Sequence, residues 1–113
     1  MELHESEAGG THTLHLKGEI DLHASPALRE ALQKKVSQRC PKLLLNFGEV
    51  TYIDSSGLAT LIEYCRESAE WKGGLALYGM TPRVRMVFDL VRLNELFRIR
   101  DDEQTALAEI NGR

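Results

Sequence analysis

No apolar run in this chain approaches the roughly 20 residues that a bilayer-spanning helix needs. The opening MELHESEAGG is acidic and polar, unlike a secretory leader. Cysteine is scarce. Cys40 and Cys65 have no metal-type spacing, and two cysteines make no disulfide framework. A basic surplus is missing too: 14 Lys and Arg stand against 17 Asp and Glu, a net charge of −3, which argues against a nucleic-acid-binding surface. No linker, low-complexity tract or internal repeat breaks the chain. The expectation is a single domain over residues 1–113 in a reducing cytoplasm. A chain of 113 residues buries about two-thirds of the surface it exposes when unfolded, enough for a core without staples.

Catalytic signatures are also lacking. No GxSxG elbow occurs, because Ile53 stands two before Ser55 and Asp54 two before Ser56. Neither a P-loop nor a GxGxxG fingerprint is present, and Gly73-Gly74 with Gly79 is too loose to substitute. No cluster of His, Cys and acidic residues has metal-ligand spacing, so neither a metal nor a cofactor is expected. The chain does not read as an enzyme.

What is there is a regular alternation of elements. Leu3 to Glu7 reads as a short strand and Ala8-Gly9-Gly10 as a turn. His12, Leu14 and Leu16 then alternate with Thr13, His15 and Lys17, so the chain opens with a hairpin. All four histidines (His4, His12, His15, His23) lie in this first segment. His12 and His15 fall on opposite faces, so they cannot chelate one metal, and solvated or packed histidines are expected. After Gly18-Glu19-Ile20-Asp21-Leu22, Ser25 reads as a helix N-cap with Pro26 at the first helical position. Leu28, Ala31, Leu32 and Val36 line one face of that helix, Arg29, Glu30, Gln33 and Lys34 the other, and Pro41 closes it.

Lys42 to Phe47 is a continuous apolar run suited to a strand buried on both faces. A second helix carries Leu58, Leu61, Ile62, Cys65 and Ala69 and ends near Gly73-Gly74. Leu75 to Tyr78 is the next strand, and Thr81-Pro82 opens a helix buried through Val84, Val87, Phe88 and Val91. Leu96 to Ile99 reads as a last strand, and Asp101 as the cap of a helix with Ala106, Leu107 and Ile110. The order ββαβαβαβα predicts an α/β fold: a small mixed sheet opened by a hairpin, continued by β-α repeats through right-handed crossovers, with helices packed against it.

The chain is organised around Thr51 to Leu61, TYIDSSGLATL, which reads as the end of a strand, a tight polar turn and the start of an amphipathic helix. Asp54, Ser55 and Ser56 can each accept hydrogen bonds from the free N–H groups of a first helical turn. Gly57 leaves the backbone uncovered, open to close approach by another molecule. Two readings follow. One is a well-capped helix after a strand; the other is a serine hydroxyl displayed at the positive end of a helix, where a phosphate is well placed. A rival role is a receiver-type phospho-acceptor Asp54, with Glu19 and Asp21 binding Mg²⁺. The opening hairpin speaks against it, as does the separation of the two acids by Ile20.

GEIDLHASPALREAL, then KLLLNF, then VTYIDSSGLATLI resembles the STAS domain, specifically the anti-sigma factor antagonists, from about Thr11 to Ile110. The resemblance implies phosphorylation of the second serine of DSSG, here Ser56, by an anti-sigma factor that is also a serine kinase. It implies that Asp21 lies close to that serine and that Asp54 shapes the turn, with Ser55 and Gly57 completing the surroundings. It implies a partner-switching cycle in which the dephosphorylated form binds the kinase, the phosphorylated form lets go, and a serine phosphatase resets it. A constitutive STAS adaptor in a transport complex or stressosome is the alternative. Phosphorylation would add about −1.5 to −2 charges at a helix start that tolerates them. A like charge on a partner at about 5 Å would cost roughly 3 kcal/mol at an effective dielectric near 20.

Overall fold

A computed structural model describes residues 1–111. Strands β1 (Glu2–Ala8) and β2 (Thr11–Ile20) form the antiparallel hairpin that opens the chain. Only Gly9 and Gly10 lie between the paired Ala8 and Thr11, and both have positive φ, +59° and +84°. A two-residue loop of that kind matches the right-handed twist of its strands, and glycine adopts it without strain.

Three β-α units follow: α1 (Ser25–Ser37), β3 (Lys42–Ile53), α2 (Ser55–Ser68), β4 (Gly74–Tyr78), α3 (Pro82–Leu90) and β5 (Ile99–Arg100), closed by α4 (Glu103–Ile110). The strands lie in the order β1-β2-β3-β4-β5, parallel from β2 onward. Each crossover steps one strand the same way, so α1, α2 and α3 share one face. Leu43, Leu45 and Phe47 of β3 join Leu28, Leu32, Leu61, Val84 and Phe88 in the main core. Leu44 points the other way, into a smaller cluster with Ala76, Tyr78, Ala106 and Ile110 beneath α4. The apolar run of β3 is therefore buried on both faces, as its composition requires.

This topology overturns the receiver reading. A receiver-like doubly wound sheet is parallel, with the order 2-1-3-4-5 and helices shared between its faces. Here β1 is antiparallel and the order is sequential.

The elements differ from expectation at several ends. β3 continues six residues beyond Phe47, to Ile53, and this extension pairs with the end of β2 (Gly18↔Val50, Ile20↔Ile53). Register shifts between His15 and Lys17 and between Gly18 and Glu19 accommodate it, with Gly18 at φ +100°. The last strand is Ile99–Arg100, not Leu96 to Ile99. A 3₁₀ turn at Leu93–Glu95 precedes it, and Leu96 is exposed. Val91 is exposed because α3 ends at Leu90 and Arg92, in the left-handed region, redirects the chain. The cap of α4 is Asp102, not Asp101; its carboxylate accepts the Thr105 N–H at 2.8 Å. Ser25 does not cap α1. It lies inside the first turn and its hydroxyl donates to the Asp21 carbonyl at 2.9 Å.

His12 and His15 do lie on opposite faces. His15 contacts Ser6 and Asn46 on one, and His12 Nδ1 lies 2.9 Å from Lys35 Nζ on the other. Lys35 is buried, with its ammonium 2.6 Å from Glu5, and so ties α1 to the hairpin.

Candidate functional site

The pairing of Ile20 with Ile53 makes β2 and β3 leave the sheet side by side. The Asp54 N–H donates to the Ile20 carbonyl at 3.1 Å, one bond beyond the ladder. The segments GEID and IDSSG, with 31 residues between them, therefore meet at one end of the sheet, the first leading through a short turn into α1 and the second running directly into α2.

Asp54 is the N-cap of α2. Its backbone is extended, and Oδ1 accepts the N–H groups of Ser56 at 2.9 Å and Gly57 at 3.2 Å. The same oxygen accepts the Ser56 hydroxyl at 2.6 Å. The Ser56 hydroxyl first, and then these backbone donors, hold the Asp54 carboxyl below its ordinary range, because each favours the charged form. Asp54 is thus a firm acceptor and a poor base.

Ser56 Oγ has a second neighbour, Ser25 Oγ at 2.7 Å. Ser56 commits its proton to Asp54, so the one Ser25 proton is divided between Ser56 Oγ and the Asp21 carbonyl. Ser25 was not read as part of this site from the sequence. Its hydroxyl type and its place just after GEID were legible, but they fitted a helix cap equally well. Asp21 reaches Ser56 only through Ser25. Its carboxylate accepts the N–H groups of His23 at 3.1 Å and Ala24 at 3.0 Å, which forms the turn into α1.

Ser55 is exposed, Asp54 and Ser56 are half-buried, and Gly57 is buried. The expectation that Gly57 offers its backbone to another molecule is corrected. A Cβ there would stand 2.7 Å from Ile20 Cγ2 and 2.9 Å from Ile53 Cγ1. The glycine lets the first turn of α2 press on the two strand ends, and the close approach is internal.

Beside Ser56 a surface hollow of about 530 Å³ opens between α1 and α2. Its lining includes Leu22, Ser25, Pro26, Arg29, Ser56 and Ala59, with Leu22 73% exposed over it. Farther along, Arg29 pairs with Glu63 and Gln33 donates to Glu67 at 3.1 Å. A row of polar contacts thus joins the two helices, starting at Ser25–Ser56. Chemically, the site offers a serine oxygen held in one position, with no strong base in contact with it. It suits an acceptor acted on by another protein better than a self-activated nucleophile.

A family model, that of the STAS domain, matches residues 5–106. The chain belongs to the STAS domain family. Among curated relatives of this STAS domain is the anti-sigma-B factor antagonist of Listeria monocytogenes, 28% identical over 95 residues, covering 84% of this chain and 80% of the relative. Among solved structures, an anti-sigma factor antagonist from Mycobacterium paratuberculosis superposes with TM-score 0.85 at 23% identity, over 97% of this chain and 93% of that one. The Bacillus cell fate determinant SpoIIAA in the phosphorylated form gives 0.74 at 23% identity, over 96% and 99%. A sulfate transporter family protein from Wolinella succinogenes gives 0.75, also at 23%, over 92% and 87%. Among the described residues, no helix of the STAS domain is long and apolar enough to cross a membrane.

Proposed function

We propose that this STAS domain is an anti-sigma factor antagonist that works by partner switching in the cytoplasm. In its dephosphorylated form it binds an anti-sigma factor that is also a serine kinase. Phosphorylation of Ser56 ends the complex, and a serine phosphatase restores the binding form. The observation that carries this reading is the Ser56 hydroxyl, fixed by Asp54 at the start of α2 and bordering an open hollow. The family and its antagonist relatives support it.

In the transfer, Ser56 Oγ bonds to the γ-phosphorus of a nucleoside triphosphate, the bond to the leaving diphosphate breaks, and the serine proton goes to a base. Asp54 is poorly suited to keep that proton, since its surroundings favour the carboxylate. The kinase supplies the base. The dianion then sits on the partner-facing side of the turn, where a like charge at about 5 Å weakens association by roughly 3 kcal/mol, on the order of a hundredfold.

The test pairs intact-mass analysis after incubation with kinase and ATP with titration against the kinase. Ser56→Ala should gain no phosphoryl group and should hold the kinase persistently. Ser56→Asp, with less charge and fewer oxygens than phosphate, should weaken binding only in part. A phosphorylated Ser56→Ala, or a Ser56→Asp that binds as tightly as the parent, sinks the reading. The likeness to a sulfate transporter protein supports a second one, a constitutive adaptor whose Ser56 stays unmodified. Co-purification with a transport protein in place of a kinase would favour it.

A further inference from the structure

Phosphorylation removes the proton on which the Ser56–Asp54 contact depends. Ser56 Oγ lies 2.6 Å from Asp54 Oδ1, a distance comfortable only with a hydrogen between the oxygens. Once Oγ carries phosphorus, two acceptors face each other and the phosphate charge opposes the carboxylate. Asp54 cannot readily yield, because the same oxygen holds the N–H groups of Ser56 and Gly57. The side chain of Ser56 must turn instead, and the open direction is the hollow between α1 and α2.

Arg29 is the one basic side chain among the described residues lining that hollow. It stands four residues, about one turn, beyond Ser25, whose hydroxyl already touches Ser56. Its present partner, Glu63, lies seven residues beyond Ser56 on α2, at the far side of Ala59, whose small side chain leaves the gap. The Arg29 and Glu63 side chains are 48% and 41% exposed, and an ion pair so open to water is weak and exchangeable. A phosphate dianion offers the guanidinium fork more charge and more oxygens than a single carboxylate does. Glu30 shares the lining and is repelled by the new charge, so Arg29 is the group there that gains from it.

We infer that phosphoserine 56 draws Arg29 away from Glu63 and holds it across the hollow, so that Arg29 is this chain's own receptor for the phosphate. The inference rests on Ser56 being the phosphorylated residue. The modified form would then differ from the free form in two places. The hollow is bridged near Ser56, and the Glu63 carboxylate is released to solvent about two turns farther along α2.

The test uses the full chain carrying phosphoserine at position 56 by genetically directed incorporation, so no kinase is needed. The second ionisation of the phosphate is followed by ³¹P NMR against pH. A guanidinium in contact favours the dianion, so Arg29→Gln should raise that ionisation by about one pH unit relative to the parent. Arg29→Lys, which keeps the charge without the fork, should recover part of the difference. Unphosphorylated Arg29→Gln should melt as the parent does, because only an exposed pair is lost. Equal ionisation in the parent and in Arg29→Gln overturns the inference. Partner binding is a separate measurement. If the phosphoserine chain still binds the kinase tightly, the switching function fails while the Arg29 contact stands or falls on its own titration.

Discussion

Within the DSSG turn, one carboxylate serves three donors. Asp54→Ala would release the N–H groups of Ser56 and Gly57 together with the Ser56 hydroxyl, and loss of such a cap costs about 1 kcal/mol or somewhat more. Ser55→Ala removes an exposed hydroxyl that caps nothing, so chemical denaturation should find it within about 0.5 kcal/mol of the parent. A loss for Ser55→Ala as large as that for Asp54→Ala would contradict the cap assignment. The sequence narrowed the cap to Asp54, Ser55 or Ser56, all of suitable type, but could not choose among them. The choice depends on where the strand ends, and that is set by the pairing of Ile53 with Ile20. Asp21 shows the same limit. Its proximity to the serine was an expectation, and the structure makes the link through Ser25.

Among the elements, the seating of α2 on the strand ends is the tightest fit near the site. Gly57→Ala would place a methyl within 2.7 Å of Ile20 Cγ2 and 2.9 Å of Ile53 Cγ1, with the Ile20 carbonyl at 3.1 Å. The helix must shift outward, and overpacking of this kind costs about 1–3 kcal/mol. The shift also moves Ser56, so the variant should lose both stability and transfer rate. Urea melts and phosphorylation time courses measured together would separate this from a purely local effect.

The tie between α1 and the hairpin makes a different prediction. Lys35, through its hydrogen bond and charge, holds the Glu5 carboxyl below its ordinary value of 4.5. A carboxyl depressed on folding contributes stability above that value and loses it as pH falls through the folded one. The stability gap between the parent and Glu5→Gln should therefore be present at neutral pH and vanish in acid. A gap that is constant with pH would show that the charge on Glu5 is irrelevant. Helix periodicity put Lys34 on the polar face and position 35, seven beyond Leu28 and three beyond Leu32, on the buried one, but no local signal showed how a lysine is satisfied there, since its partners lie 23 and 30 residues away, at His12 and Glu5. The apolar repeats of α1, α2 and β3 were legible because each buries a continuous face. The strand end over residues 51–53 was legible too, but its continuity with the apolar run was not, because Gly48 and Glu49 interrupt the pattern and pairing with β2 keeps the stretch extended.

Over the whole molecule, stability should be graded along the chain. β3 is paired on both sides and its Leu43, Leu44, Leu45 and Phe47 are fully buried. The region after β4 relies on a two-residue strand, and it exposes Met86, Leu90, Val91 and Leu96. Hydrogen exchange should find the Leu43–Phe47 amides opening only with global unfolding, while those of 82–100 open through smaller fluctuations. Uniform protection across both regions would refute this gradient.

The sheet also ends in a free border. β1 is an outermost strand, so one side of its backbone has donors and acceptors to spare, the arrangement that lets a second molecule add on as a further strand. Glu2, Glu5 and Glu7 crowd this strand, and two copies lying border to border would bring like charges together. The Lys35 ammonium offsets part of the Glu5 charge, so Glu2 and Glu7 carry more of this repulsion. Replacing Glu5 and Glu7 together by Val should turn a self-avoiding border into a self-adhesive one. Concentration-dependent association in sedimentation would then appear in the double variant and not in the parent.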